Sequence, residues 1–390
     1  MKRVLILSHE YPPYAFGGVA YYTKELAEYL SRRGYTIYIV AGRSKKYSIE
    51  THGEIVIYRA YFPDIPVRSV WYSIFSRNIV LKLVKWADTI IFNSGSIGLL
   101  PNFLSRGRGR KEVISVFHGT VYSLISYYRY ISLKNRLKYL NLFDLFYHNM
   151  VPLYLYLGRQ EVRVSDKVVA VAHHVIEELT SLFPELRRDF SKLHTAYGGV
   201  DFKYLTRIYE THGLSGKRYE KPVYAYVGRL YTSKGVNYAV EAFRKVQELL
   251  KGAELWIFGK GPLEGWVRGY ARKHGLSVRT IGFVPRDALM KLLAARISVL
   301  LLPSLYEGCP YVLLEANALG IPVVAWDLPW SREFVLQGVN GYLAQPFSLE
   351  SLAESAVRSL SLRGSERVRE IASNYDKGRS FMNFERILEG

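Results

Sequence analysis

The chain has 390 residues, 49% of them apolar, and carries 53 Lys and Arg against 34 Asp and Glu, a formal net charge of +19. That apolar share excludes a disordered chain, and the length excludes a lone small module, because roughly 100–200 residues per domain predicts two domains with a core each. The single cysteine, Cys309, excludes an intrachain disulfide.

Short β-branched runs alternate with amphipathic stretches of helical length. In the first half, strands are predicted at Val4–Ser8, Thr36–Ala41, Glu54–Arg59, Asp88–Asn93, Val113–Phe117 and Lys167–Ala172. The first helix, Val19–Arg33, closes with Arg32 and Arg33 in its last turn and Gly34 just beyond, as dipole and C-cap preferences require. From Gly198 to Pro222 the pattern breaks into a polar, turn-rich stretch. It restarts with strands at Val223–Val227, Leu255–Phe258, Arg279–Phe283, Ile297–Leu302 and Pro322–Ala325. Such alternation implies parallel sheets with helices on both faces. Ligands of open α/β sheets bind at the carboxyl ends of the strands, so function is expected at strand ends lining a cleft between the two domains, with a hinge near Gly198–Asp201.

The N-terminal MKRVLILSHEYPP lacks a signal peptide's apolar run, and Leu145–Gly158, interrupted by His148 and Pro152, is too short to span a bilayer. A cytoplasmic protein is expected. The positive charge is heavier in residues 1–200, which suggests an anionic partner or a solubility role. Few Gln, four Met and abundant Tyr, Arg and Lys lean towards a thermophilic source.

The most informative segment runs from Ser304 to Ala316. Pro310 suits the first position of a helix, so the amides of Gly308, Cys309 and Tyr311 are expected at its positive end, where anions or sugar hydroxyls are attracted. Glu307 precedes that helix and Glu315 lies one turn in, its side chain leaning back, so both carboxylates can face one ligand; otherwise they are a dipole-complementing charge and a surface group. Gly17 and Gly18, between the first strand and its helix, let backbone amides approach a phosphate or sugar, or simply make the turn. Arg229 and Lys234 follow a strand end, where a guanidinium fork and a compact ammonium can neutralise a diphosphate. His118 ends a strand and can face a ligand or pack in the core. Gly259 and Gly261 mimic a dinucleotide fingerprint, but Pro262 follows at once and no acid ends the next strand, which argues against a nicotinamide enzyme. Neither an Asp-x-Asp pair nor a His/Cys cluster with ligand spacing occurs, so no metal and no separate cofactor is expected.

EGCPYVLLEANALGIPVVA, with its Glu-x7-Glu spacing, resembles the signature of the family-4-type retaining glycosyltransferases. The same resemblance continues in order through EYPPYAFGGVAYY, FHG, YGGVD, YVGRLYTSKGV, FGKGP, GFVP and GVNGYL. It implies a GT-B fold, two doubly wound Rossmann-like domains. Residues 1–200 would bind the acceptor, residues 201–372 would bind the nucleotide sugar, and 373–390 would form a C-terminal helix able to return to the first domain. It further implies that a UDP- or GDP-sugar is co-substrate and that a sugar is transferred to an acceptor hydroxyl with retention. Arg229 and Lys234 would hold the diphosphate, Glu315 the ribose hydroxyls and Glu307 the sugar hydroxyls. His118 would sit near the donor sugar, the Gly17–Gly18 loop would close over diphosphate and acceptor, and the Gly259–Gly261 turn and the Val284 backbone would meet the nucleotide. The chain departs from the family at Gly119, where an Asp is usual, at Gly198, and at Pro329–Arg332, which replaces a glycine-rich turn.

The segment Ser126–Arg159 interleaves Tyr and Phe with Arg129, Lys134, Arg136 and Lys138. This fits either helices packed beside the acceptor site or contact with an anionic membrane surface, and it suggests a lipid-linked or other glycan as acceptor; no nucleic-acid motif accompanies it. Two rival functions share these features: a sugar-nucleotide 2-epimerase and a non-catalytic, basic peripheral nucleotide- or membrane-binding protein.

Overall fold

The computed structural model describes residues 2–14, 17–42, 47–63, 65–93, 95, 97–105, 109–123, 146, 149–213 and 221–390. These divide into two compact units: residues up to 121 with 149–198 and Ser380–Gly390, and Gly199–Arg379.

The first unit is built on eight strands: β1 (Arg3–Ser8), β2 (Thr36–Gly42), β3 (Ser48–His52), β4 (Ile55–Ala60), β5 (Thr89–Asn93), β6 (Glu112–Phe117), β7 (Lys167–Ala170) and β8 (Leu193–Thr195). Their order is β3-β4-β2-β1-β5-β6-β7-β8, parallel throughout except for the β3–β4 pair. The central strands are buried along nearly their whole length and mostly apolar, as strands covered on both faces are. The helix Gly18–Arg32 ends as its sequence requires, with Gly34 in the left-handed region at φ +90°. Two strands escape the apolar pattern: β3, whose sequence SIETH is polar, and β8, three residues long.

The second unit holds β9 (Val223–Val227), β10 (Glu254–Phe258), β11 (Val278–Gly282), β12 (Val299–Leu302), β13 (Val323–Trp326) and β14 (Gly341–Ala344), in the order β11-β10-β9-β12-β13-β14 and all parallel. The segment GVNGYL makes β14 and its anchor. Buried Asn340 accepts from the Leu336 amide at 2.7 Å and donates to Asn317 Oδ1 and the Phe334 carbonyl, both at 2.8 Å. A Cβ on Gly341 would meet the Val323 carbonyl at 2.0 Å, so only glycine lets β14 lie against β13 there.

The chain returns to the first unit within its last helix, Lys377–Glu389, rather than at residue 373. Residues 374–379 stay with the second unit because Val200 and Tyr375, Lys377 and Val200 exchange backbone hydrogen bonds at 2.9 Å, and Lys377 pairs with Asp201. Beyond them the helix buries Phe381, Phe384 and Leu388 on the first unit. Lys2 and Lys167 donate to the carbonyls of Leu388 and Ile387, as cations at a negative helix end should.

Candidate active site

Three strand-end loops of the second unit are stitched together by their backbones. After β9, Gly228 donates to the Phe258 carbonyl and Leu230 to the Lys260 carbonyl, each at 3.0 Å; after β10, Gly259 donates to the Gly282 carbonyl at 2.8 Å. The glycines of FGKGP make this possible. A Cβ on Gly259 would lie 1.9 Å from the Gly228 carbonyl, at φ +129°, and one on Gly261 would lie 2.6 Å from the Leu230 carbonyl. Their identity is therefore already required by the neighbouring loop that carries Arg229. Gly259→Ala should destabilise the second unit by at least about 1–2 kcal/mol, the cost of a left-handed residue with a Cβ, before any clash is counted. A melting temperature equal to the parent's would show that the loops can separate at no cost.

That scaffold brings two of the expected residues together. Lys234 ends a short 3-10 turn after β9 and Glu307 lies in the loop after β12; Lys234 Nζ stands 2.8 Å from Glu307 Oε1 and donates to the Tyr306 carbonyl at 3.2 Å. The turn is tight because Gly235, at φ +73°, lies against Pro303, whose carbonyl would be 1.9 Å from a Cβ. Beneath it the buried Tyr226 hydroxyl lies 2.8 Å from the Arg229 carbonyl and 3.3 Å from that of Lys234. Burial first, and then the charge of Glu307, push this phenol well above its usual pKa, so it stays a neutral donor. Arg229 is exposed, its guanidinium 5.4 Å from the Tyr231 ring centroid.

Glu315 lies instead against Arg286. Its carboxylate, 8% exposed, takes Arg286 Nε at 2.8 Å and Nη2 at 2.7 Å on one oxygen. Sequence reasoning missed Arg286, which sits 29 residues earlier at the start of the helix Arg286–Arg296. The helix after β12 also begins one residue later than expected, at Tyr311, with Pro310 as its N-cap. The Tyr311 amide donates to the Cys309 carbonyl at 3.0 Å, so it does not serve as an open anion donor. Gly308 is buried and Cys309 half-buried in the loop before it, while Val284 is half-buried after β11. Pro329–Phe334 forms a short helix in place of a glycine-rich turn, fixed by Ser331 Oγ, which accepts from the Leu328 amide at 3.0 Å.

In the first unit Gly17 caps the helix Gly18–Arg32 at φ −172°, and both glycines are exposed. Nothing among the described residues comes within 4 Å of a Cβ on Gly17, in contrast to Gly259 and Gly261. The turn leading to it is held by Arg59 on β4, 2% exposed, which donates to the Pro12 carbonyl and to Glu50 of β3, both at 2.6 Å. The Arg59 hydrogen bonds hold the Glu50 carboxyl below its usual range. Arg59 was legible only as a charge out of phase in the apolar run IVIYRA.

His118 follows β6 and is half-buried, its ring 4.7 Å from that of Tyr22 in an edge-on arrangement. Its Nε2 lies 3.2 Å from Asn93 Oδ1 at the end of β5. Loss of water around the imidazole pushes its pKa down to about 4, so the ring is neutral at physiological pH. The unfolded chain binds a proton there first as pH falls below the ordinary histidine value near 6.5, so His118 makes stability decline from that point down to about pH 4.

Of the aromatic and basic segment, residues 126–145, 147 and 148 lie outside the described residues. Its last part begins the helix Val151–Val164, where the Tyr156 hydroxyl accepts from Asn102 Nδ2 at 2.9 Å. Among the described residues no helix is long and apolar enough to cross a membrane.

Two parallel α/β units, with charged and glycine-gated loops at their strand ends, define a protein of GT-B fold. Residues 16–204 match the family model Glycosyltransferase Family 4, and residues 210–377 match Glycosyl transferases group 1. The chain belongs to these glycosyltransferases. It is 25% identical over 378 residues to an uncharacterized glycosyltransferase of Methanocaldococcus jannaschii, covering 92% of this chain and 89% of that protein. It is 30% identical over 201 residues to glycogen synthase of Mycobacterium tuberculosis, covering 51% of this chain and 46% of the relative, about half of each. A solved structure of HepE from Anabaena, in complex with UDP and glucose, superposes with a TM-score of 0.68 over 100% of both chains at 16% identity.

Proposed function

We propose that this chain transfers a sugar from a nucleoside diphosphate sugar, a UDP- or GDP-sugar, to an acceptor hydroxyl of a glycan or lipid-linked glycan, with retention and without a metal. The observation that carries the reading is the Lys234–Glu307 pair, 2.8 Å apart on the loops that follow two neighbouring strands. An ammonium has three protons; Glu307 and the Tyr306 carbonyl take two, and the third has no acceptor among the described residues. It is suited to a diphosphate oxygen, whose charge grows as the glycosidic bond breaks, while exposed Arg229 adds a second cation. As the diphosphate shares Lys234, the Glu307 carboxylate is released towards donor-sugar hydroxyls, and Glu315, braced by Arg286, can accept from ribose hydroxyls. In this reading the cation's role falls to Arg229 and Lys234. In the first unit, open Gly17 and exposed Gly18 suit a backbone approach to phosphate or acceptor, and neutral His118 suits a sugar hydroxyl.

The test is thermal stabilisation by UDP, GDP, ADP and their sugar conjugates, since a ligand of the folded state raises its melting temperature. A rise with one base, lost in Glu315→Ala and Lys234→Ala, is expected. No rise at millimolar ligand would overturn the donor site. Binding without transfer or slow hydrolysis would favour a peripheral binder, and a new sugar nucleotide formed without acceptor would favour an epimerase.

A further inference from the structure

A chain of four buried or half-buried groups ends on His118, and its direction is set from the far end. The Val19 carbonyl can only accept, and Thr23 Oγ1 lies 2.7 Å from it, so the single hydroxyl proton of Thr23 goes there. Thr23 Oγ1 can then only accept from its other neighbour, the side-chain amide of Asn93, which must present Nδ2 to it. That fixes the orientation of an amide whose oxygen and nitrogen are otherwise interchangeable. Oδ1 is left facing His118 Nε2 at 3.2 Å, and an amide oxygen can only accept. Thr23 is 0% exposed and Asn93 is 1% exposed, so water does not replace either link.

We propose that Asn93 is a positioning residue that locks His118 as the neutral tautomer protonated on Nε2, so that Nδ1 presents a lone pair to the ligand. This deepens the reading given above and rests on His118 meeting the donor or acceptor. Its consequence is chemical selectivity. A lone pair accepts from a hydroxyl and repels a phosphate oxygen, which has no proton to offer at neutral pH. His118 therefore recognises a sugar hydroxyl and takes no part in holding the diphosphate, which falls to groups with protons to donate. The Tyr22 ring packs edge-on against the imidazole at 4.7 Å between centroids.

The tautomer can be read directly by ¹⁵N NMR of histidine-labelled protein, because a protonated ring nitrogen and a lone-pair nitrogen resonate far apart. The nine histidines are resolved by comparison with His118→Gln. The parent should show His118 protonated on Nε2 alone. Thr23→Val keeps the shape but removes the group that orients the amide, and Asn93→Leu removes the amide; both should give a mixed or reversed tautomer and lower transfer roughly tenfold or more. Asn93→Asp, which accepts at either oxygen, should keep the proton on Nε2. A parent ring protonated on Nδ1, or an unchanged tautomer in folded Thr23→Val and Asn93→Leu, overturns the proposal. The NMR readout needs no ligand. A correct tautomer in a protein that binds no sugar nucleotide would sink the functional reading and leave the positioning intact, while binding with the wrong tautomer would do the reverse.

Discussion

Lys234→Ala is expected to lower kcat/KM for sugar transfer at least a hundredfold while the second unit stays folded. The ammonium is half-buried and its protein partners, Glu307 and the Tyr306 carbonyl, lie in one loop, so little packing is lost with it. What is lost acts on the departing diphosphate. Removing one pre-placed donor from a developing anion typically costs ~10²–10³ in rate, about 2.7–4 kcal/mol. The alanine also takes from Glu307 the cation that pairs with it, so the two side chains should not contribute independently. Lys234→Ala with Glu307→Ala should therefore fall short of the product of the single effects, the mark of two groups acting as a unit. Lys234→Arg should not restore the rate, because a planar fork cannot aim one proton at Glu307, one at a carbonyl and one at phosphate as a tetrahedral ammonium does. Steady-state kinetics with a thermal melt on each variant decides it; turnover near the parent's in Lys234→Ala would remove the ammonium from the mechanism.

Lys234 and Glu307 were each visible in the sequence, but not their pairing, since they are 73 residues apart and meet only because β9 and β12 are neighbours. The same reason hides Asn93 from His118, since β5 and β6 are neighbours, whereas Arg286 and Glu315 meet through the helices that follow β11 and β12, strands that are not adjacent in the sheet. What periodicity does reveal are the apolar, β-branched runs, and all eleven expected strands begin and end within two residues of their places, among them β9 at Val223–Val227. What it hides are strands whose purpose is not burial. β3 carries Glu50 to Arg59, and β14 follows from the Asn340 anchor rather than from an apolar run. The glycines of FGKGP show a third limit. Their pattern suggested a ligand, yet each Cβ position is occupied by a neighbouring loop, whereas Gly17, which the sequence left open between a ligand approach and a turn, faces open space among the described residues. Local sequence names a backbone requirement without naming what imposes it.

Phe384→Ala is expected to cost the first unit about 3–5 kcal/mol, the usual loss for deleting a fully buried phenyl ring from a packed core. Phe384 lies in the last helix, at 0% exposure, between Phe381 and Leu388 on the face that this helix turns to the first unit. The polar ties of the same helix should matter less. Arg33 is 59% exposed at its side chain, and Glu385, though only 7% exposed, keeps the Tyr29 hydroxyl at 3.0 Å when the 3.0 Å pair is broken, so Arg33→Ala should cost less than Phe384→Ala, about 1–2 kcal/mol. Hydrogen exchange of the β1, β2 and β5 amides reports the first unit without interference from the second. Equal protection in Phe384→Ala and the parent would mean that the helix is an attachment rather than part of the core. The effect should also reach His118, because Phe381 packs on Tyr22 at 5.6 Å between ring centroids and Tyr22 packs on His118 at 4.7 Å. A helix loosened by Phe384→Ala removes the backing of Tyr22. Transfer should then decline below the melting temperature, together with a shifted His118 ring resonance, whereas Arg33→Ala should leave both where they are.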